Sequence, residues 1–213
     1  MNITLDHILP EPLASIQHAK ESIWINRVEL KHGEHLMLNA SSGKGKSTFT
    51  STLFGLRSDY VGTLFFDDRD VRELDPTDWT EIRMQKLSVV FQDLQLFPKL
   101  SVRENLLLKN SLTNVFNEAQ LFDMLERVGI GDKWNQACGL LSMGQQQRVA
   151  IIRALAQPYH WLILDEPFSH LDKDNSSICL DMIQERTKEQ GAGFVLTTLG
   201  DHYGYTYDRE LKL

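Results

Sequence analysis

Apolar positions along this chain fall first into short alternating or continuous runs, broken by Gly, Pro and Asx turns. Ile3, Leu5 and Ile8 alternate and stop at Pro10 and Pro12, which predicts a strand. Ser22 to Leu30 (SIWINRVEL) predicts a second strand, with a turn at His32-Gly33. Leu36, Met37 and Leu38 predict a third, and a helix from Lys46 to about Leu56 follows a small-residue loop. Thr63 to Phe66 reads as a short strand. Asp75-Pro76 pairs an N-cap carboxylate with Pro at the first helical position, so a helix carries Trp79, Ile82 and Arg83. Leu87 to Phe91 (LSVVF) is apolar enough for a buried strand.

The texture then changes to helical spacing, from Lys99 to Asn135. Ser101-x-x-Glu104 is a capping box ahead of Leu106, Leu107 and Leu108, and Phe116 to Val128 places Leu121, Phe122, Leu125 and Val128 on one face. Ser142-x-x-Gln145 opens a further helix through Ala156, stopped by Pro158. Strand character returns at Trp161 to Leu164 (WLIL), which runs into Asp165-Glu166-Pro167. Asp172 caps a helix from Lys173 to about Glu189, Phe194 to Thr198 is a core strand, and Arg209 to Leu213 an edge strand. The pattern predicts one α/β domain over residues 1–213. Its core is formed by 1–92 and 158–213, and a helical subdomain is inserted at about 93–157.

Composition narrows the function. The 213 residues suffice for one α/β domain with a full core. The 22 basic and 29 acidic side chains leave a formal charge of −7, against a nucleic-acid-binding surface. No apolar run approaches the ~18 residues of a membrane-spanning helix, and Met1 to Pro12 lacks the pattern of a signal peptide. Cys138 and Cys179 lack metal-ligand spacing and read as partly buried thiols of a reducing cytosol.

Chemistry concentrates after two of the strands. Ser41, Ser42, Gly43, Lys44 and Gly45 form a small-residue loop ahead of Lys46, Ser47 and Thr48 at a helix start. Such a loop turns backbone N–H groups and the helix N-terminus toward a phosphate, while Lys46 reaches the β and γ groups and Ser47 ligates Mg²⁺. The strict phosphate-loop pattern G-x-x-x-x-G-K-[ST] is broken at its first position by Ala40. The apolar run Trp161 to Leu164 delivers Asp165 to a strand's carboxyl end, where it can hold Mg²⁺; Glu166 can polarise an attacking water.

Three further stretches make nearly the whole chain resemble the nucleotide-binding subunit of an ATP-binding-cassette (ABC) transporter. Val90 to Asn105 (VFQDLQLFPKLSVREN) resembles the Q-loop, with Gln92 as the glutamine that senses Mg²⁺ and the γ-phosphate. Leu140 to Pro158 (LLSMGQQQRVAIIRALAQP) resembles the signature helix, and Ser169 to Asp172 (SHLD) the D-loop. The resemblance implies an ABC-type P-loop NTPase fold: a mixed sheet core, an antiparallel β portion and an inserted helical subdomain. It implies ATP and Mg²⁺ as ligands, Glu166 and Gln92 as catalytic residues, and Ser47, Gln92 and Asp165 at the metal. It also implies a head-to-tail dimer in which Ser142, Gly144 and Gln145 of one subunit contact the γ-phosphate bound to the other. The partners implied are that second ABC subunit and a membrane permease, which holds the chain at the cytoplasmic face; nucleic acid is not among them. The nearest resemblance is to subunits of lipoprotein-release, MacB-like and FtsE-like systems.

Four positions depart from the family pattern. Ala40 replaces the first loop glycine and adds about 1 kcal/mol of strain if a left-handed φ is required there. Met143 replaces the first signature glycine. Leu199 stands where the family has its switch histidine, with His202 three residues on. Residues 1–23 hold no aromatic side chain to stack on adenine; Trp24 is the nearest, in a context that favours the core. These departures imply a site that binds MgATP and hydrolyses it slowly. Two alternatives share the motifs: a soluble ABC-type ATPase acting on a cytosolic assembly, and a regulatory subunit without turnover.

Overall fold

The computed structural model describes residues 1–41 and 43–213. The expectation for Ser42 lies outside the described residues. Among the described residues, nine strands and six α-helices follow in the order β1 (Ile3–Pro10), β2 (Arg27–Leu30), β3 (His35–Asn39), α1 (Lys46–Leu53), β4 (Tyr60–Phe66), β5 (Arg69–Asp70), α2 (Pro76–Gln85), β6 (Leu87–Val90), α3 (Val102–Asn110), α4 (Glu118–Arg127), α5 (Met143–Leu155), β7 (Trp161–Asp165), α6 (Lys173–Gln190), β8 (Gly193–Thr198) and β9 (Arg209–Lys212). They form two sheets. One is antiparallel, in the order β2-β1-β4-β5; the other is parallel, in the order β6-β7-β8-β3-β9. The antiparallel portion is thus a sheet of its own, and β9 is the parallel sheet's edge.

The continuous apolar runs of β7 and β8 have a direct cause. Side chains alternate across a strand, and each face of these two strands meets its own core. Trp161, Ile163 and Val195 join a cluster with Ile3, Leu5, Leu64 and the α1 residues Phe49 and Leu53. Leu162, Leu164, Phe194 and Leu196 join the other, with Val149 and Ile152 of α5, Ile183 of α6, and Leu106, Leu121 and Leu125 of the helical block.

Local signals set the helix starts. The side chains of Asp75, Ser101, Asn117, Ser142 and Asp172 all accept from first-turn N–H groups. The Asn117–Gln120 box is an addition to those read from the sequence, and it starts α4 at Glu118 instead of Phe116. Further element boundaries need correction, and β4 starts at Tyr60 instead of Thr63. The predicted strand Ser22–Leu30 shrinks to Arg27–Leu30, because the Asn26 amide donates to the carbonyls of Lys20 (2.8 Å) and Ser22 (2.7 Å) and fixes a turn. Helix α1 ends at Leu53, where Leu56 N–H reaches back to Ser51 O (2.8 Å) and closes the helix with a six-to-one bond.

Parallel pairing aligns the functional strand ends. Val90 pairs with Leu164, Asp165 with Thr197, and Asn39 with Thr198, so the segments leaving β3, β6, β7 and β8 emerge along one edge. Ligands bind at such carboxyl edges in open α/β sheets.

Candidate functional site

Lys46 stands at the first position of α1 and is 5% exposed. Its Nζ donates to Ala40 O (2.8 Å) and Ser41 O (3.3 Å) and pairs with Glu166 Oε1 (3.1 Å). Three oxygens match the ammonium's three protons, so an incoming phosphate must displace at least one of them. The carboxylate is the acceptor that repels a phosphate.

The loop ahead of Lys46 rests on buried apolar groups. Gly45, at φ +102°, leaves 2.7 Å between an ideal Cβ and the Leu13 side chain, and 3.3 Å to Trp24. Trp24 is fully buried, edge-on to Phe49 at 6.3 Å, with its Nε1 3.5 Å from Lys44 O. It supports that loop from below, in keeping with the core reading. Above the loop, a Cβ on Gly43 would meet nothing within 4 Å. Ala40 is not among the residues with positive φ, so the strain anticipated there does not arise; its N–H reaches Thr198 O at 3.3 Å.

An oxygen cluster adjoins the ammonium. Ser47 Oγ donates to Gln92 Oε1 (3.1 Å), and Thr197 Oγ1 donates to Asp165 Oδ1 (2.9 Å). Burial pushes the Asp165 carboxyl above its ordinary range; hydrogen bonds from Ser47 and Thr197 oppose that shift, and the Glu166 charge adds to it. A hydroxyl, an amide oxygen and a buried carboxylate are a hard donor set that fits Mg²⁺. The clefts among the described residues include one of 690 Å³ lined in part by Ser47, Gln92 and Asp165. The same residues would hold the ion beside a phosphate.

Glu166 sits at φ +48°, a left-handed conformation uncommon for a side-chain-bearing residue. Its N–H donates to Thr197 Oγ1 (3.0 Å), and its carbonyl accepts from Gln147 Nε2 (3.2 Å). Ser41, Lys46, Ser47, Gln92, Asp165 and Glu166 are thus gathered at one edge, with Gly43, Lys44, Gly45 and Thr48 completing the described loop. Ser142, Gly144 and Gln145 make no hydrogen bond to that group among the described residues. They occupy the N-terminus of α5, where Ser142 and Gln145 cap each other (3.3 and 3.0 Å). Gly144 packs against the 169–172 turn, since a Cβ there would stand 2.7 Å from His170 O.

Three connecting residues escaped the sequence reading. Gln147, buried, donates to Glu166 O and Ser169 Oγ (3.1 Å) and accepts from His170 N (3.0 Å), joining α5 to the turn that carries Glu166. Arg153 donates to Leu94 O (2.7 Å) and Gln95 O (2.6 Å), two residues held at positive φ just after Gln92. Thr197 bridges Asp165 and Glu166. Gln147 and Thr197 are buried and Arg153 is half-buried, and their partners, far away in sequence, left no local signal. Replacing Gln147 with Leu leaves buried backbone groups unpaired and should cost ~2–4 kcal/mol of stability by urea unfolding. A loss below ~0.5 kcal/mol would show that the bridge contributes nothing.

A family model described as ABC transporter matches residues 26–169. The chain is 32% identical over 191 residues to the lipoprotein-releasing system ATP-binding protein LolD of Myxococcus xanthus, covering 87% of this chain and 84% of that protein. It is 31% identical over 188 residues to an uncharacterised ABC transporter ATP-binding protein of Mycobacterium tuberculosis, covering 87% and 76%. Among solved structures, a dimeric bacterial ABC transporter cassette superposes with a TM-score of 0.83 at 25% identity, covering 99% of this chain and 94% of that one. A post-hydrolysis dimer of the same cassette, bound to ADP and phosphate, gives 0.81 at 26% identity.

Proposed function

This chain belongs to the ABC transporter family as an ATP-binding subunit, and on that premise we propose that it binds MgATP between two head-to-tail subunits, hydrolyses it slowly, and drives a separate membrane permease. The observation that carries the reading is the meeting of Lys46, Ser47, Gln92, Asp165 and Glu166 at one sheet edge.

In this reading the N–H groups of Gly43 to Thr48 and the N-terminus of α1 receive the phosphates. Lys46 exchanges its bond to Glu166 for one to a γ-phosphate oxygen. Ser47, Gln92 and Asp165 would hold Mg²⁺, which when bound would neutralise phosphate charge. The released Glu166 carboxylate orients a water and takes its proton as the water oxygen attacks phosphorus.

The second subunit's contribution comes from Ser142, Gly144 and Gln145. Supporting this, α5 begins at an exposed turn where Met143 is 47% exposed and Leu140 also faces solvent. An apolar helix start that its own chain leaves uncovered suits a surface that closes on a partner copy. No described helix is long and apolar enough to cross a membrane. Contact with a permease is proposed at the groove between the Gln92 loop and the helical block, lined by Phe54, Phe91, Phe97, Leu108, Lys109 and Leu112. Arg153, anchored to Leu94 and Gln95, would transmit movement of that loop to α5. In this reading the chain is held on the cytoplasmic side by that permease; similarity to LolD favours it over a soluble ATPase.

Slow turnover is the part of the reading that rests on Leu199. It follows β8 directly and is 65% exposed, and its side chain offers no hydrogen bond to a phosphate. Leu199→His is expected to raise steady-state ATPase activity by ~10-fold or more, since single oxyanion contacts are worth up to ~10²–10³ in rate. An unchanged rate would place the limit elsewhere. Turnover should also rise faster than linearly with protein concentration, as a composite dimer site requires.

A further inference from the structure

Resting on the hydrolytic reading above, we infer that Tyr203 is the residue of the loop after β8 that positions Glu166, acting through the ring of Phe168. Glu166 needs outside support, because a left-handed backbone at a side-chain-bearing residue persists only where surrounding contacts fix it. Two supports are Thr197 and Gln147. The third is two residues on: Phe168 is buried, and the Tyr203 ring packs edge-on against it, with centroids 4.8 Å apart at 76°. Edge-to-face pairs of this kind are directional as well as apolar.

Tyr203 is itself fixed. It lies at φ +51°, and its N–H donates to Asp201 Oδ1 (2.7 Å). Asp201 is tied to the end of β8 by two bonds with the Thr198 hydroxyl, at 3.1 Å each. Adjacent β8 residues therefore hold the two sides of the clamp, Thr197 the Glu166 turn and Thr198 the Tyr203 loop. Farther along, Tyr205 and Tyr207 pack on each other (4.9 Å) and on Phe194 (5.7 and 6.1 Å), which anchors the loop to the core. The two other candidates in this loop make no such contact: Leu199 is exposed, and the exposed His202 has its ring beside Tyr207 at 6.2 Å. Burial pushes the Tyr203 phenol above its ordinary value; the Thr198 hydroxyl opposes that shift, and the charges of Asp201 and Glu166 add to it.

The test uses the full chain and compares wild type, Glu166→Gln, Tyr203→Ala and Tyr203→Phe. The readouts are kcat, KM for ATP, affinity for a fluorescent non-hydrolysable ATP analogue, and melting temperature. Tyr203→Ala is expected to lower kcat by ~10–10²-fold while KM and analogue affinity stay within about twofold. Tyr203→Phe, which keeps the ring over Phe168, should restore kcat to within about threefold of wild type. Should the alanine variant fail to fold, Tyr203→Leu carries the same expectation of reduced kcat at unchanged KM. A kcat for Tyr203→Ala within twofold of wild type, or a Phe variant as slow as the Ala variant, overturns the inference alone. Wild-type turnover no greater than that of Glu166→Gln, with analogue binding intact, overturns the hydrolytic reading and this inference with it.

Discussion

Glu166→Gln should reduce ATP turnover by ~10³-fold and at the same time tighten ATP binding. On the proposed mechanism, the first effect follows from removing the group that would take the proton of the attacking water, a contribution of about 10²–10⁴ in general-base catalysis. The second follows from the ion pair of the nucleotide-free protein. Glu166 Oε1 lies 3.1 Å from Lys46 Nζ, with the two side chains 17% and 5% exposed. A phosphate must take the ammonium from that carboxylate and then tolerate its charge. A neutral amide keeps the shape and removes both penalties, a gain on the order of 1 kcal/mol, or about fivefold in Kd. Rate and affinity are separately measurable, by steady-state phosphate release and by titration with a fluorescent analogue. A variant that binds ATP more weakly would show that the Lys46–Glu166 pair does not compete with phosphate.

Asp165→Asn should abolish Mg²⁺-dependent turnover, by at least ~10²-fold, while stabilising the protein in the absence of nucleotide and metal. The folded carboxyl holds its proton above the ordinary range because burial disfavours the anion. A group whose pKa is raised on folding contributes stability that is present below its unfolded pKa and is lost as pH rises through the folded value. At neutral pH the buried anion therefore works against the fold. Asparagine removes that cost and can still accept from Thr197 Oγ1. The variant's advantage in melting temperature should be widest near neutrality and should vanish as pH falls below the carboxylate range. Adding MgATP should reverse the order, because a ligand that binds only the folded state stabilises wild type. Equal Mg²⁺ dependence in the two proteins would remove Asp165 from the metal site.

Much of this was legible along the chain because it is local. Each capping side chain bonds within three residues of itself, so Asp75, Ser101, Ser142 and Asp172 announced their helices. The apolar runs of β7 and β8 announced strands buried on both faces. The small-residue loop ahead of Lys46 and the Asp165-Glu166 pair could be singled out from residue type and spacing, whereas Gln92 and the α5 signature were singled out by the resemblance to the ABC family. The Ser22–Leu30 run misled because Trp24 is apolar for a different reason: it fills the space beneath Gly45 and does not line a pleat.

Only the tertiary structure could decide what each of these residues touches. Parallel pairing of β3, β6, β7 and β8 brings Lys46 within reach of Glu166 across 120 positions of sequence, and no local signal encodes that distance. Ala40 was suspect by motif, yet its negative φ makes it harmless, since strain depends on the backbone actually adopted. Gln147, Arg153, Thr197 and Tyr203 drew no attention in sequence, because a buried polar or aromatic residue gains its meaning from its partner. Sequence determined the elements and which residue types stand at each strand end. Packing of the parallel sheet between the antiparallel sheet with α1 on one face and the helical block on the other determined which of those groups meet.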